Sequence, residues 1–204
     1  MSGQETEVKF FVQDLKRIEM RLQELEAHLI QPRVHEVNLR FDNEAGELRK
    51  NFKVLRLRQD TDAKFTFKGP SEERVGGVLS RKEIEFTVSS FEAAKEFLEL
   101  LGFVPVIFYE KYRTTYELLG VHIMLDELPY GTFVEIEGED IETLQKVANL
   151  LGLNWNAMVK AGYHALFERI TEKYDLEYGQ LSFEALKSIT ATPEDFGITY
   201  SDIK

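Results

Sequence analysis

The sequence contains no cysteine and no long apolar run. The absence of cysteine excludes disulfides, thiolate catalysis and cysteine-ligated zinc. Apolar runs such as residues 104–108 fall far short of the roughly 20 residues needed to span a bilayer, and the first five residues do not form a signal-peptide pattern. We therefore expect a soluble, cytoplasmic protein without a membrane partner.

Positive charge is also scarce relative to negative charge. The net charge is −11 at pH 7, which is the wrong sign for general binding to nucleic acid or anionic membranes. Hydrophobic residues make up 43% and charged residues 30% of the chain, so a disordered chain is excluded. At 204 residues, we expect one domain with an elaborated tail rather than two independent domains.

Segments with the alternating pattern of strands dominate the first two thirds of the chain. The predicted strands lie near residues 4–12, 34–42, 53–60, 63–69, 81–88, 104–118, 121–128 and 132–138. Short connections at 60–62, 119–120 and 129–131 are typical of hairpins, which predicts a largely antiparallel sheet.

Four further segments have the apolar periodicity of amphipathic helices. The first follows Asp14 and carries an apolar stripe from Leu15 to Leu29. The second begins at a predicted capping box formed by Ser89 and Glu92. The other two are predicted over about 140–152 and 157–169.

Charged residues recur at every second position along the predicted strands, so they share one face of each strand. This face carries the bases Lys9, Arg56, Arg58, Lys68, Arg81, Lys111 and Arg113, and the acids Glu5, Glu7, Glu83, Glu85, Glu135 and Glu137. An antiparallel sheet with a solvated outer face would also show this alternation. However, the amphipathic helices need the apolar face of the sheet, and eight strands are enough to close a small barrel. In a closed barrel the charges would line the interior.

The charges on this face suit a complex of a polyanion with a metal ion. Arginine forks match phosphate oxygens, whereas the neighbouring carboxylates would repel a polyanion unless hard divalent cations lie between them. Magnesium and manganese bind carboxylate and phosphate oxygens in that bridging role.

The ordered set of charged motifs resembles a known family. Glu5-Thr6-Glu7-Val8-Lys9 matches an ExExK signature, and the later motifs follow in the family's order over about residues 4–138: Leu55-Arg56-Leu57-Arg58, Thr66-Phe67-Lys68-Gly69, Arg81-Lys82-Glu83-Ile84-Glu85, Glu110-Lys111-Tyr112-Arg113, Leu125-Asp126-Glu127 and Phe133-Val134-Glu135-Ile136-Glu137. Gly162-Tyr163 resembles a C-terminal motif. The chain is identified by these residues as a member of the CYTH superfamily, named for class IV adenylate cyclases and thiamine triphosphatases.

The resemblance implies an α+β fold: an eight-stranded antiparallel closed β-barrel that forms a triphosphate tunnel, with helices packed outside. We expect this domain to span 1–170, and 171–204 to form a C-terminal extension that packs on the barrel or covers it as a lid. The resemblance implies a triphosphate clamp of Lys9, Arg56, Arg58, Lys68, Arg81, Lys111 and Arg113. It implies Mg²⁺ or Mn²⁺ held by Glu5, Glu7, Glu135 and Glu137, with Glu83, Glu85 and Asp126 as further ligands or organisers.

Three functions are compatible with this pattern. The first is a metal-dependent triphosphatase acting on tripolyphosphate, thiamine triphosphate or ATP, in which Glu5, Glu7 and Lys9 take part in catalysis; Lys9 either activates the water or binds phosphate. The second is a class IV adenylate cyclase, although the His-Phe pair that often precedes ExExK is missing and Arg40 stands where an aromatic residue is expected. The third is a non-catalytic polyphosphate- or nucleotide-binding module. The oligomeric state is not encoded in any of these motifs.

Overall fold

The computed structural model describes residues 2–70, 72–73, 79–176 and 179–203, and of Glu5 it describes the backbone alone. The strands are β1 (Ser2–Val12), β2 (His28–Asp42), β3 (Val54–Gln59), β4 (Ala63–Lys68), β5 (Glu72–Glu73), β6 (Leu79–Val88), β7 (Val104–Leu118), β8 (Val121–Leu128), β9 (Gly131–Glu137) and β10 (Gln180–Leu181). The helices are α1 (Leu15–Glu24), α2 (Glu47–Lys50), α3 (Phe91–Leu100), α4 (Ile141–Leu150), α5 (Tyr163–Tyr174) and α6 (Pro193–Phe196). A single 3₁₀ turn is described at Trp155–Ala157. No helix within the described ranges is long and apolar enough to cross a membrane.

Eight strands of one sheet form a ring. The order is β1-β9-β8-β7-β2-β3-β4-β6, and β6 pairs again with β1. Each neighbouring pair within the ring is antiparallel. The short strands β5 and β10 add to β6 and β7 from outside the ring, β10 in parallel orientation. The mixed α+β class expected from the sequence is therefore present, built on a single strand-rich sheet.

Helices cover apolar parts of the outer face of the ring. Val8 and Phe10 of β1 pack with Ile18 of α1 and Leu144 of α4 in the largest buried cluster. On the opposite side, Ala94 and Leu98 of α3 pack on β2 and β3. Since side chains alternate along a strand, the residues between these core positions point to the inside of the ring.

A third apolar cluster fills one end of the ring. Phe11 lies two residues after Lys9 on β1, and Phe133 lies two residues before Glu135 on β9, so each shares a strand face with that charged residue. They pack against α5 and the C-terminal segment in a buried cluster whose other members include Leu166, Phe167, Ile170, Leu181, Leu186 and Phe196. The charged interior therefore gives way to hydrophobic core at this end.

Polar contacts also hold the C-terminal segment on the ring. Ser201 N–H donates to the carbonyl of Phe11 at 2.8 Å. The carboxylate of Asp202 accepts hydrogen bonds from the N–H groups of Gln13 and Asp14 at 2.8 and 2.9 Å. The segment thus satisfies backbone donors between β1 and α1, where the chain leaves the sheet.

Three helix predictions were wrong in their limits. The first helix ends at Glu24, and the predicted stripe residue Leu29 lies in β2, because pairing with β7 overrides the local periodicity. The cap of α3 is Ser90, whose Oγ accepts from Ala93 N–H at 3.2 Å, rather than Ser89. The last predicted helix begins at Tyr163 instead of Ala157.

Candidate functional site

Strand register brings the charged residues predicted from the sequence onto the inner face of the ring. Lys9 lies opposite Glu135, Arg113 opposite Asp126, and Arg81 opposite Glu5 in backbone register. The remaining predicted residues alternate with outward-facing positions on the same strands: Glu7, Arg56, Arg58, Lys68, Glu83, Glu85, Lys111 and Glu137. The side chain of Glu5 lies outside the described part of the structure.

Asp126 is the fully buried hub of an ion-pair cluster. It is 0% exposed and accepts hydrogen bonds from Lys111 Nζ at 3.0 Å, from Arg113 Nε at 2.6 Å and from Tyr163 OH at 2.8 Å. The second guanidinium nitrogen of Arg113 bridges Asp126 and Glu135. Both oxygens of Asp126 are thus engaged by protein donors, so its contacts are those of an organiser of the neighbouring cations.

Lys9 lies beside this hub and is held in its charged form. Its ammonium pairs with Glu135, lies 3.9 Å from Glu7, and sits 4.3 Å from the ring centroid of Tyr163. Burial lowers the pKa of Lys9, but the carboxylates of Glu135 and Glu7 outweigh it, so the pKa is raised above its usual value. Burial alone would raise the pKa of Glu135, but Lys9 and Arg113 hold it well below its usual range. A lysine base needs a lowered pKa; this environment favours a permanent cation.

Glu36 is a buried carboxylate that the sequence reasoning missed. Only 1% of it is exposed, and it lies 3.7 Å from Lys111 and 3.9 Å from Arg58 while accepting from Asn38 Nδ2 at 2.9 Å. Burial alone would raise its pKa, but Lys111, Arg113 and Arg58 lower it overall. The sequence did contain a signal for Glu36. It lies two residues before Asn38 in a predicted strand, so the two share a face by the spacing rule that identified the other residues.

The lowered pKa of Glu36 predicts an acid-sensitive contribution to stability. A carboxylate with a lower pKa in the folded state stabilises the protein above its unfolded pKa, near the ordinary value of 4.5, and loses this effect as the pH falls through the acid range. We expect the stability difference between the wild type and Glu36→Gln to be largest at pH 7 and to shrink below about pH 4.5. Urea unfolding at pH 7 and pH 3.5 measures it. The exposed-pair control Glu24→Gln should show almost no difference at either pH; a gap for Glu36→Gln that stays constant with pH would contradict the assignment.

A second cluster surrounds Arg56 and Arg58 on the other wall of the ring. Glu85 accepts from Arg58 at 3.0 Å and from the Thr66 hydroxyl at 2.8 Å. Arg56 donates to Thr66 at 3.1 Å and to Tyr109 OH at 3.3 Å. Glu85 therefore occupies an anion position between the two arginines, although its side chain remains 29% exposed.

Two features of this wall indicate capacity for a further anion. Arg56 Nε is buried and, among the described residues, has no hydrogen-bond partner. Arg40 and Arg56 lie directly opposite each other on β2 and β3. Like charges in directly opposed strand positions repel, and an unpaired buried donor is costly, so a bound polyanion would relieve both.

Two further ion pairs lie on the inner face. Lys68 pairs with Glu83 at 2.8 Å and Arg81 with Glu7 at 3.5 Å. All seven predicted clamp cations therefore face carboxylates on the same inner surface. A ligand of higher negative charge density would compete with these carboxylates for the cations.

The carboxylates of β1 and β9 have the chemistry of a hard divalent-cation site. Glu7 lies directly opposite Glu137, and Glu135 lies two residues before Glu137 on the same face of β9. Opposed carboxylates repel unless a cation lies between them, and carboxylate oxygens are ligands that Mg²⁺ and Mn²⁺ prefer. Among the side chains that the structure describes, which exclude that of Glu5, no three acidic or histidine groups already converge as a metal cage. The chemistry of this donor set fits a divalent cation.

Comparison with known proteins defines the class of this ring. The CYTH domain model matches residues 3–160. The chain therefore belongs to the CYTH family, as the order of its motifs predicted. A search of curated proteins finds no match.

Solved structures share the fold. A candidate adenylate cyclase from Vibrio parahaemolyticus superposes with a TM-score of 0.70 at 20% identity, over 80% of this chain and 97% of that one. The PH1819 protein of Pyrococcus horikoshii gives 0.66 at 26% identity, over 83% and 99% of the two chains. HpAC1 from Hippeastrum, a candidate adenylyl cyclase described as having a dominant triphosphatase activity, gives 0.58 at 20% identity, over 93% and 98%. Adenylate cyclase and triphosphatase activities are thus both mentioned in descriptions of proteins with this fold.

Proposed function

We propose that this protein is a divalent-metal-dependent triphosphatase that hydrolyses the terminal phosphate of an inorganic or organic triphosphate. In this proposal the ring is a closed barrel whose interior is the triphosphate tunnel, formed by residues 1–170, with 171–204 packed on it. The observation that carries the proposal is the inner face itself, on which seven predicted clamp cations lie beside opposed carboxylates.

The cations supply binding and charge stabilisation. Arg56 and Arg58 form one wall and Lys9, Lys111 and Arg113 the other, with Lys68 and Arg81 between the arginine wall and β1. Guanidinium forks on one wall, and two ammonium groups with the fork of Arg113 on the other, suit a chain of phosphates held between them. In phosphoryl transfer, such fixed charges stabilise the equatorial oxygens as the bond to the leaving group breaks.

The carboxylates of β1 and β9 are proposed to hold the metal. A Mg²⁺ or Mn²⁺ ion bound by Glu5, Glu7, Glu135 and Glu137 would polarise phosphate oxygens and lower the pKa of a bound water. Lys9 lies beside Glu135 and Glu7; in this proposal its ammonium binds phosphate, and activation of the water is its alternative role. Asp126 and Glu85 orient the cations, and Glu83 holds Lys68.

The triphosphatase is favoured over the cyclase by the charge of the inner face. Arg40 adds another cation opposite Arg56, which suits phosphate rather than a base or a ribose. The triphosphatase activity described for HpAC1 gives a precedent on this fold. A non-catalytic binding module would need the cations but not the opposed carboxylates Glu7 and Glu137.

A product assay tests the proposal. Purified protein is given tripolyphosphate, thiamine triphosphate and ATP separately, with Mg²⁺ or Mn²⁺ and with chelator. We expect orthophosphate release that chelator abolishes, and the relative rates then rank the substrates. Cyclic AMP with pyrophosphate from ATP would instead identify a cyclase, and tight binding without either product would identify a binding module.

Arg58 provides a separate test of the clamp. Its guanidinium is mostly buried and reaches Glu85 and Glu36 inside the ring. Since hydrogen bonds to charged groups contribute about 1.5–3 kcal/mol, Arg58→Ala should weaken tripolyphosphate binding by roughly 10- to 100-fold. Isothermal titration calorimetry measures this loss. The control is Arg33→Ala, which removes an exposed arginine paired with Glu127 and should leave the affinity unchanged; equal affinity in the Arg58 variant would remove it from the clamp.

A further inference from the structure

Tyr163 belongs to a helix outside the ring, yet its side chain reaches the ion-pair cluster inside. It is the first residue of α5 and lies beyond residues 3–160, the part that matches the family model. Its hydroxyl donates to Asp126 at 2.8 Å, and its own backbone carbonyl accepts from Tyr130 OH at 3.1 Å. Hydrogen bonds therefore hold the hydroxyl of Tyr163 to β8 and its backbone to the turn between β8 and β9.

The aromatic ring of Tyr163 faces two predicted clamp lysines. Lys9 Nζ lies 4.3 Å and Lys111 Nζ 5.3 Å from its centroid. Both distances fall within the roughly 6 Å over which an ammonium is attracted to an aromatic face, and burial strengthens that attraction. The two ammonium groups come from β1 and β7, which are not neighbours in the sheet. One aromatic side chain therefore contacts cations of two separate strands.

Packing fixes the ring of Tyr163 from the apolar side. Phe133 meets it edge-on, with centroids 5.1 Å apart, and belongs to the cluster that fills this end of the ring. Tyr163 thus separates the apolar cluster from the charged interior. A ring held in this way limits the positions that the two ammonium groups can adopt.

We propose that Tyr163 is a positioning residue of the triphosphate site: its ring fixes the ammonium groups of Lys9 and Lys111, and its hydroxyl orients Asp126 toward Lys111 and Arg113. This inference rests on the proposed function and extends it to a residue of α5. The aromatic ring of Tyr163 contacts two cations, whereas its hydroxyl contacts a carboxylate that Lys111 and Arg113 already bind. The aromatic ring of Tyr163 should therefore contribute more to phosphate binding than its hydroxyl.

Two substitutions separate these roles. Tyr163→Phe keeps the aromatic face and removes only the hydroxyl, whereas Tyr163→Met fills similar space with a flexible apolar chain and removes the aromatic face. Without metal, we expect tripolyphosphate affinity within about 3-fold of wild type for Tyr163→Phe. For Tyr163→Met we expect a loss of roughly 5- to 30-fold, the product of two weak cation–π contacts. In the assay with Mg²⁺, KM should rise in Tyr163→Met with a smaller change in kcat.

Tyr174 provides a matched control on the same helix. Its hydroxyl donates to Asp195 at 3.1 Å and its ring lies 5.2 Å from Lys173 Nζ, so it makes the same two kinds of contact away from the inner face. Tyr174→Met should leave tripolyphosphate affinity and KM unchanged. Thermal unfolding of all variants measures any general loss of packing.

The outcomes distinguish this inference from the proposed function. If wild type binds tripolyphosphate and Tyr163→Met binds it equally well, Tyr163 only packs and the inference is overturned alone. If wild type neither binds nor hydrolyses any triphosphate, both proposals are overturned. Should Tyr163→Met fail to fold, pentafluorophenylalanine at position 163 makes the same test, because it keeps the shape of the ring but removes the negative potential of its face; wild-type affinity in that protein would overturn the inference.

Discussion

Glu7→Gln is expected to lower metal-dependent phosphate release by at least about 100-fold, the order of effect seen when one group that stabilises the transition state is removed. Glu7 lies opposite Glu137, so its carboxylate is one of the charges proposed to hold the divalent cation. Glutamine keeps the size of the side chain and loses the charge. The measurement is orthophosphate release at saturating Mg²⁺ or Mn²⁺, followed by a metal titration to separate weak metal binding from slow turnover.

Folding should survive this substitution. The ion pairs of Glu7 are long, 3.5 Å to Arg81 and 3.9 Å to Lys9, and its side chain belongs to none of the apolar clusters. Glu24→Gln, at an exposed pair on α1, is the control for loss of a carboxylate elsewhere. Near-normal metal-dependent activity of the Glu7 variant, with normal metal affinity, would refute the metal assignment.

Asp126→Asn is expected to reduce the free energy of unfolding by about 3–5 kcal/mol, the usual effect of breaking a buried ion pair from one side. The physical reason is that Lys111 and Arg113 would keep their charges inside the ring while the carboxylate between them became neutral. Urea unfolding followed by circular dichroism measures the loss.

The same experiment separates two roles for Asp126. As an organiser of cations, it should contribute equally in chelator and in Mg²⁺, whereas a metal ligand would show a larger effect when the ion is present. Asp140→Asn is the matched control, because Asp140 caps α4 and asparagine caps helices about as well as aspartate. That control should change stability by less than about 0.5 kcal/mol. A similarly small change in Asp126→Asn would show that the hub does not hold the cluster together.

Strand positions were largely predictable because alternation is a local property of the sequence. Seven of the predicted segments correspond to ring strands to within about three residues at each end, whereas β2 begins at His28, six residues before the predicted start. Its extra length pairs with β7 through several register shifts. No local pattern reports such a partner, so the periodicity from Leu15 to Leu29 favoured a longer first helix.

The sequence predicted which charged residues lie on the inner face better than it predicted what each of them does there. The spacing rule identifies which charges share a face, but Asp126 as a hub, Glu36 as a buried counter-ion and Tyr163 as a contact of two lysines depend on partners far away in the chain. The pKa of Lys9 illustrates the same limit. The sequence left both roles of Lys9 open, activation of the water and binding of phosphate. The raised pKa depends on Glu135, which only strand register places beside Lys9.

The sequence by itself determined the strand faces, the order of the family motifs and the surplus of cations and carboxylates along one face, because each of these follows from residue type and spacing. Only the tertiary structure decided which charges pair, since β1 meets both β6 and β9 through register that spans most of the chain. It also decided that one end of the charged interior meets an apolar cluster built from α5 and the C-terminal segment. That packing depends on the apolar surface of elements distant in sequence, which is buried only when the ring provides a complementary end.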